Sequence, residues 1–150
     1  LGAPYTQSPE KEFGKFTIHM TNAGKRSRLF SHFGDSLGVG HWHYDMPGLT
    51  EGAQIIAFSA GCPRQIIEYT KRVYGFQCHM ELTRDVVEYL ILNGENDLKS
   101  AAGFRFVDTP GAIRRHSYSE MNEKLITFLD KLVLSVNPVK PKVRTKSETA

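Results

Sequence analysis

Cysteines and long apolar runs are both scarce in this sequence. Two cysteines, Cys62 and Cys78, occur in 150 residues, too few for a disulfide framework or a four-ligand zinc set. No apolar run approaches the ~20 residues that span a bilayer. The opening residues, LGAPYTQSPEKEFG, have neither the basic nor the apolar region of a secretory signal. We therefore expect a protein of the cytoplasm, a reducing compartment, with no membrane partner.

Positive charge is confined to the C-terminal end of the chain. The net charge is +3, and in the final stretch NPVKPKVRTKSETA four basic residues outnumber Glu148 by three. Residues 1–136 therefore carry no net charge, and a neutral body lacks the basic surface that nucleic-acid binding requires. We predict a folded domain over residues 1–136, no nucleic-acid partner, and a basic, disordered tail over residues 137–150.

Hydrophobic periodicity predicts strands in the first half of the chain and helices in the second. Strand patterns cover residues 16–20 and 53–60, and RQIIEY and VYGFQC form a hairpin around the turn TKR. A helix begins after its N-cap Thr83 and ends at Gly94. Residues 97–116 are weakly patterned, which predicts a loop with one helical turn.

A long amphipathic helix is predicted to close the fold. It begins near Ser117, and its apolar side chains recur at helical spacing. The residues on this apolar face are Met121, Leu125, Phe128, Leu129 and Leu132. Strands followed by helices are typical of an α/β or α+β architecture.

The stretch YGFQCHMELT places a cysteine, a histidine and a glutamate within four residues. Because alternate residues of an extended strand point to the same side, His79 and Glu81 face together, whereas Cys78 faces the core. A carboxylate beside an imidazole holds the ring in one tautomer and stabilises its protonated form, as a general base requires. A surface His-Glu pair without a function is the alternative that the spacing leaves open.

A second polar cluster, HWHYD, places His41, His43 and Asp45 on one face of an extended segment. The pattern is similar to the zinc signature of metallo-β-lactamases, although Met46 stands where that motif has another histidine. It is also similar to the metal-binding histidines of rolling-circle replication endonucleases, but the absence of a basic groove argues against a DNA enzyme. Two interpretations stay open. One is a polar strand end, and the other is a metal-dependent hydrolase built on His41, His43, Asp45 and His79.

Taken together, the two clusters resemble the C-terminal half of the class I glutamine amidotransferase domain, above all its stand-alone, GMP synthase-like members. The segments that carry the resemblance are HYD at residues 43–45, LTEGA at 49–53, AFS at 57–59 and GFQCHME at 75–81. The resemblance implies a flavodoxin-like, three-layer α/β fold. This chain would form the C-terminal part of that fold, with mixed strands, a hairpin and closing helices.

The resemblance also implies an activity and the residues that perform it. His79 matches the family's catalytic histidine, which activates a cysteine for attack on the side-chain amide of glutamine, and Glu81 matches the carboxylate that orients this histidine. Glutamine would be hydrolysed to glutamate and ammonia through a thioester, with no cofactor and no metal. His43, Tyr44 and Asp45 match the loop beside the glutamine pocket, so we expect them to contact the substrate.

The nucleophile of this chemistry has no match in the chain. The family's elbow, G-x-C-x-G-x-Q, is absent and would precede Leu1, in an N-terminal half that also carries the oxyanion-hole donors. We therefore expect the chain alone to be inactive and to need that half as its partner, from the same precursor or from a separate chain. Two further alternatives stay open: hydrolysis of a γ-glutamyl peptide or conjugate, and a non-catalytic binding or regulatory homologue.

Overall fold

Six strands and five α-helices make up residues 1–136, which are the residues that the computed structural model describes. The strands are β1 (Thr6–Met20), β2 (Ser36–Met46), β3 (Gln54–Ser59), β4 (Ile66–Thr70), β5 (Val73–Phe76) and β6 (Phe106–Val107). The helices are α1 (Asn22–Arg26), α2 (Arg84–Asn93), α3 (Glu95–Ser100), α4 (Pro110–Arg115) and α5 (Ser119–Val136), with one turn of 3-10 helix at Ser31–Phe33. The tail predicted at 137–150 lies outside the described residues.

A mixed sheet organises the fold around β1. The strands lie in the order β2-β1-β3-β4-β5 with antiparallel neighbours, and β6 pairs with β1 in parallel. The predicted hairpin is confirmed as β4 and β5, which Lys71 and Arg72 join. The strand predicted at residues 16–20 is only the end of β1, because the polar stretch at residues 6–12 has no apolar alternation to reveal it.

The register between β1 and β2 places Glu12 opposite His43. A bulge lies in β1, where the five-residue step from Gln7 to Glu12 matches a two-residue step in β2. Beyond the bulge the pairing is regular, and Gly14 lies opposite His41. Glu12 therefore shares one face of the sheet with both histidines.

Helix α2 follows the segment that contains His79, and its predicted start and end are confirmed. The Thr83 hydroxyl oxygen accepts a hydrogen bond from the Val86 N–H at 3.4 Å, and Gly94 follows the last helical residue. Val87 and Ile91 are buried, whereas Val86 is 40% exposed. The apolar face of α2 is therefore narrower than the sequence pattern suggests. None of the described helices is both long and apolar enough to cross a bilayer.

Helix α5 packs its apolar face on a cluster of aromatic rings. Phe128 stacks on Phe30 with 4.8 Å between ring centroids and meets Phe76 edge-on at 5.2 Å. Met121 and Phe128 are buried as predicted, whereas Leu129 is 43% exposed. The prediction for Leu129 is wrong because each helical residue is rotated by about 100° from the one before it. The position directly after Phe128 is thereby turned away from the sheet.

The prediction of a loop at residues 97–116 is wrong. The segment contains most of α3, the two-residue strand β6 and all of α4. Thr109 caps α4 with its hydroxyl oxygen, and Pro110 stands at the start of the helix. The Asp108 N–H donates to Phe13 O at 2.8 Å, which ties the segment to β1. Each element has at most six residues, too few for a hydrophobic period to become visible in the sequence.

Candidate active site

Two main-chain hydrogen bonds position His79 against β2. The His79 N–H donates to Gly40 O at 2.8 Å, and the Gly40 N–H donates to His79 O at 3.0 Å. Glycine is needed at position 40, because a Cβ atom there would lie 2.9 Å from His79 O and would overlap the Leu82 side chain. His79 therefore lies just beyond the β4-β5 hairpin, where the chain leads into α2.

His79 and Glu81 form a hydrogen-bonded pair. His79 Nδ1 lies 2.6 Å from Glu81 Oε1, and the two side chains are 37% and 58% exposed. The neighbouring Cys78 and Met80 are buried, as the strand alternation predicts. If Nδ1–H donates to the carboxylate, Nε2 keeps its lone pair, and no group within residues 1–136 hydrogen-bonds that atom. The pair can therefore accept a proton at Nε2 and stabilise the resulting charge through Glu81.

Both cysteines of the chain lie in the protein interior. Cys62 is 1% exposed and Cys78 is 2% exposed, and the Cys78 thiol donates to Gln65 O at 3.8 Å. Burial raises the pKa of both thiols. A nucleophilic cysteine needs partial exposure and a lowered pKa, so neither thiol is suited to act with His79. The prediction that Cys78 is a core residue is confirmed.

The three residues expected to contact the substrate line one open cleft of about 470 Å³. The full lining consists of Lys11, Phe13, Trp42, His43, Tyr44, Asp45, Gln77, Asp97 and Ser100. The Lys11 ammonium lies 4.7 Å from the centre of the Tyr44 ring. Lys11, Asp45 and Asp97 all line this space, so the cleft offers both signs of charge. His79 does not line this cleft, whereas Gln77, two residues earlier, does.

A second polar cluster is buried between β1 and β2. Glu12 and His41 have no exposed surface, and His43 is 7% exposed. Glu12 Oε2 lies 3.2 Å from His43 Nε2 and 3.6 Å from His41 Nδ1, and these two nitrogens are 3.3 Å apart. The Ser59 hydroxyl donates to Glu12 Oε1 at 2.7 Å, and the Gln65 amide donates to Glu12 Oε2 at 2.5 Å. Both carboxylate oxygens of Glu12 are therefore held in place.

Burial and hydrogen bonding oppose each other on the ionisable groups of this buried cluster. Burial raises the pKa of the Glu12 carboxyl, but the hydrogen bond from His43, the electrostatic attraction of His41 and the hydrogen bond from Ser59 together outweigh it and leave that pKa below its usual value. Burial lowers the pKa of His41 to about 4, against the opposing effect of the Glu12 carboxylate. At neutral pH the cluster therefore holds an ionised carboxylate next to a neutral His41 imidazole.

The structure does not bring together the four residues of the hypothetical metal-dependent hydrolase. Among the described residues, potential metal ligands converge at Glu12, His41 and His43. Asp45, which was expected on the face of the two histidines, is instead exposed at the rim of the cleft. His79 is paired with Glu81. That ligand set is therefore wrong as a single site.

Glu12 and Gln65 belong to the buried cluster, but the sequence patterns do not single them out. A signal for Glu12 existed, because it stands at even spacing from Ile18 and Met20 and so shares their buried face of β1. Gln65 carries no such signal, since it lies in the loop directly before β4. Only the folded chain brings its amide to the Glu12 carboxylate.

The sequence matches a known protein over most of its length, although no family model matches it. It is 53% identical over 135 residues to YfeJ of Salmonella typhimurium (strain LT2), a protein described as glutamine amidotransferase-like. The match covers 90% of this chain and 56% of YfeJ. The chain thus spans little more than half the length of that curated relative.

Solved structures share the fold. SMU.1228c is 47% identical with a TM-score of 0.84, over 88% of this chain and 56% of that protein. The glutamine amidotransferase TM1158 of Thermotoga maritima is 20% identical with a TM-score of 0.73, over 88% of this chain and 55% of its own. A glutamine amidotransferase of Methylobacillus flagellatus is 21% identical with a TM-score of 0.79, over 97% and 61%. The last two similarities show the fold alone.

The comparisons agree with the resemblance that segments 43–45 and 75–81 carry. One relative at 53% identity is described as glutamine amidotransferase-like, and two glutamine amidotransferases have the same fold at TM-scores of 0.73 and 0.79. The expected α/β fold of this family is therefore confirmed. This chain has the glutamine amidotransferase fold and is similar, over 90% of its length, to a protein described as glutamine amidotransferase-like.

Proposed function

We propose that this chain supplies the general base, His79, and its orienting carboxylate, Glu81, to a glutamine-hydrolysing site. The observation that carries the proposal is the 2.6 Å contact between His79 Nδ1 and Glu81 Oε1. One ring nitrogen is committed to a carboxylate, and the partly exposed ring leaves the other nitrogen open to a reactant. Cysteine-dependent amide hydrolysis requires this division of roles within the imidazole.

In the proposed reaction, His79 Nε2 takes the proton of a cysteine thiol, and the thiolate attacks the side-chain amide carbon of glutamine. The imidazolium then gives its proton to the leaving nitrogen, which departs as ammonia and leaves a glutamyl thioester. His79 next deprotonates a water that attacks the thioester, and glutamate and the thiol are released. Glu81 stabilises the imidazolium in both stages, and no cofactor is required.

The nucleophile is proposed to lie outside this chain, in the remainder of the domain. The support comes from the two cysteines present, since Cys62 and Cys78 are buried and carry raised pKa values. The relative YfeJ is also longer than the matched segment, which covers 56% of it. An N-terminal half, from the same precursor or a separate chain, would supply the cysteine and the oxyanion donors.

The cleft beside His43, Tyr44 and Asp45 is the proposed place for part of the substrate. Lys11 and Asp45 offer opposite charges to the carboxylate and ammonium groups of an α-amino acid. A γ-glutamyl conjugate carries the same two groups, so the cleft would bind either substrate in the same way. The alternative substrate class therefore rests on the same residues.

Replacing the proposed base tests the assignment directly. In the full-length protein, His79→Ala should lower the glutaminase kcat by ~10³-fold or more, because the thiol loses the group that deprotonates it. Ammonia and glutamate release are measured together, with circular dichroism to verify folding. The matched control is His19→Ala, which removes an exposed histidine on β1. Equal activity in His79→Ala and the wild type would end the assignment.

Two further measurements separate the alternatives. Comparing kcat/KM for glutamine and for a γ-glutamyl anilide decides between the two substrate classes. A diazoketone analogue of glutamine alkylates an activated cysteine, so labelling of the wild-type protein supports catalysis. If the folded wild type shows neither turnover nor labelling, the protein is a non-catalytic homologue.

A further inference from the structure

The buried cluster of Glu12, His41 and His43 has the dimensions of one face of a metal coordination tetrahedron. A zinc ion with bonds of about 2.0–2.1 Å keeps its tetrahedral ligands about 3.3–3.4 Å apart. The three ligand atoms here are separated by 3.2, 3.3 and 3.6 Å. Three potential ligand atoms thus surround a single point at the distances that a tetrahedral ion requires.

The surroundings of these atoms suit metal ligands. The Ser59 hydroxyl donates to Glu12 Oε1, the carboxylate oxygen that faces away from the histidines. His41 Nε2 lies 3.4 Å from Phe16 O, a contact in which Nε2–H donates and Nδ1 keeps its lone pair for the cluster. Outer contacts of this kind orient ligands in metal sites. Gly61 leaves room for the carboxylate, because a Cβ atom there would lie 2.8 Å from Glu12 Oε1.

Hydrogen bonds alone do not give every buried polar atom of this cluster a partner. One proton on His43 Nε2 can bridge to Glu12 and His41, but among residues 1–136 the buried Gln65 Oε1 has no partner. Such atoms normally have one. The Gln65 amide nitrogen lies 3.2 Å from His43 Nε2 and 2.5 Å from Glu12 Oε2. Turned about its last bond, the amide would give up its hydrogen bonds to Glu12 Oε2 and to the Ser59 hydroxyl and would present its unpartnered oxygen to the same point, as a fourth ligand, while the ion takes over the contact with Glu12 Oε2.

We propose that Glu12, His41 and His43 bind a divalent transition-metal ion of the zinc class, with the Gln65 amide oxygen completing a closed, structural site. Two imidazoles with oxygen ligands in a tetrahedron favour zinc over magnesium or calcium, which take oxygen ligands at higher coordination numbers. Because Glu12 and His41 have no exposed surface, the ion enters as the chain folds. The ion joins β1 and β2 next to the Gly40-His79 bridge. This inference does not depend on the proposed glutaminase activity.

Metal content of the full-length wild-type protein is the primary test. We expect about one zinc ion per chain by inductively coupled plasma mass spectrometry after purification without chelators. Protein unfolded with a chelator and refolded with cobalt(II) should show the intense visible absorption of tetrahedral cobalt. A wild-type protein that purifies without metal, refolds fully without it and shows no such absorption would overturn the proposal.

Matched variants locate the ion. Glu12→Gln and His43→Ala should each abolish cobalt absorption, whereas His19→Gln, an exposed histidine on β1, should retain it. A metal that persists in a folded Glu12→Gln protein is bound elsewhere and contradicts the assignment. If neither cluster variant folds, the decision rests on the wild type, where chelator during refolding should lower the yield of native protein. Unchanged refolding, together with a metal-free protein, argues for a purely proton-bonded cluster.

Discussion

Gly40→Ala should impair catalysis more than its small size suggests, because position 40 fixes the main chain of His79. The added Cβ atom would lie 2.9 Å from His79 O and would overlap a Leu82 side-chain carbon. The carbonyl belongs to one of the two hydrogen bonds, 2.8 and 3.0 Å long, that join residues 40 and 79. The methyl group can be accommodated only if the segment from His79 to Leu82 moves away from β2.

The contacts at Gly40 set the size of the expected losses in stability and in kcat. Weakening two main-chain hydrogen bonds costs about 1–3 kcal/mol, since each contributes ~0.5–1.5 kcal/mol. Overpacking costs about 1–3 kcal/mol. Because both costs arise from the same displacement of the His79 segment, they do not add in full. We expect the free energy of unfolding to fall by about 2–4 kcal/mol. A displacement of about 1 Å at His79 should lower kcat by ~10²-fold.

Gly38→Ala is the matched control for Gly40→Ala. Gly38 lies two residues earlier on the same face of β2, and a Cβ atom there meets only the Lys15 side chain, at 3.2 Å from Cε. A flexible lysine can yield, so kcat and stability should stay near the wild-type values. Glutaminase assays and urea unfolding of the full-length variants measure both quantities. Equal kcat in the two variants would refute the argument that Gly40 positions His79.

Two further predictions concern the core. Cys62 and Cys78 should react with a maleimide at least ~10²-fold more slowly in the native than in the unfolded protein at mildly alkaline pH, because burial raises the pKa of both thiols. Site-resolved mass spectrometry measures this, and rapid native labelling at either site would contradict it. Phe128→Ala should lower the free energy of unfolding by ~3–5 kcal/mol, because it leaves a cavity beneath α5. Leu129→Ala should cost less than ~1 kcal/mol in the same denaturation assay, and equal losses would show that the assigned face of α5 is wrong.

Several features of the candidate site follow from local patterns. His79 and Glu81 are two residues apart in an extended segment, so they face the same side, and their side chains are 2.6 Å apart. Cys78 lies on the opposite face and is buried. Thr83 caps α2 because its hydroxyl satisfies a main-chain N–H of the first turn. These relations involve close neighbours in the chain, and strand alternation and capping are sufficient to predict them.

The short elements between Glu95 and Arg115 could not be predicted in the same way. Helices α3 and α4 have six residues each and β6 has two, so none is long enough to show a period. Their formation depends on contacts with distant residues. One example is the hydrogen bond from the Asp108 N–H to Phe13 O, which docks the segment on β1.

The chain's local chemistry specifies the histidine-glutamate pair, the hairpin and the start of α2, whereas the buried cluster exists only in the tertiary structure. Glu12 and His43 are far apart in the chain, and they meet because β1 and β2 pair in a regular register that runs from His19 opposite Ser36 to Glu12 opposite His43. A slip of one residue in that register would present different side chains to the two histidines. The side that a residue faces depends on its immediate neighbours. The strand that it meets, and in which register, depends on interactions summed over the whole sheet.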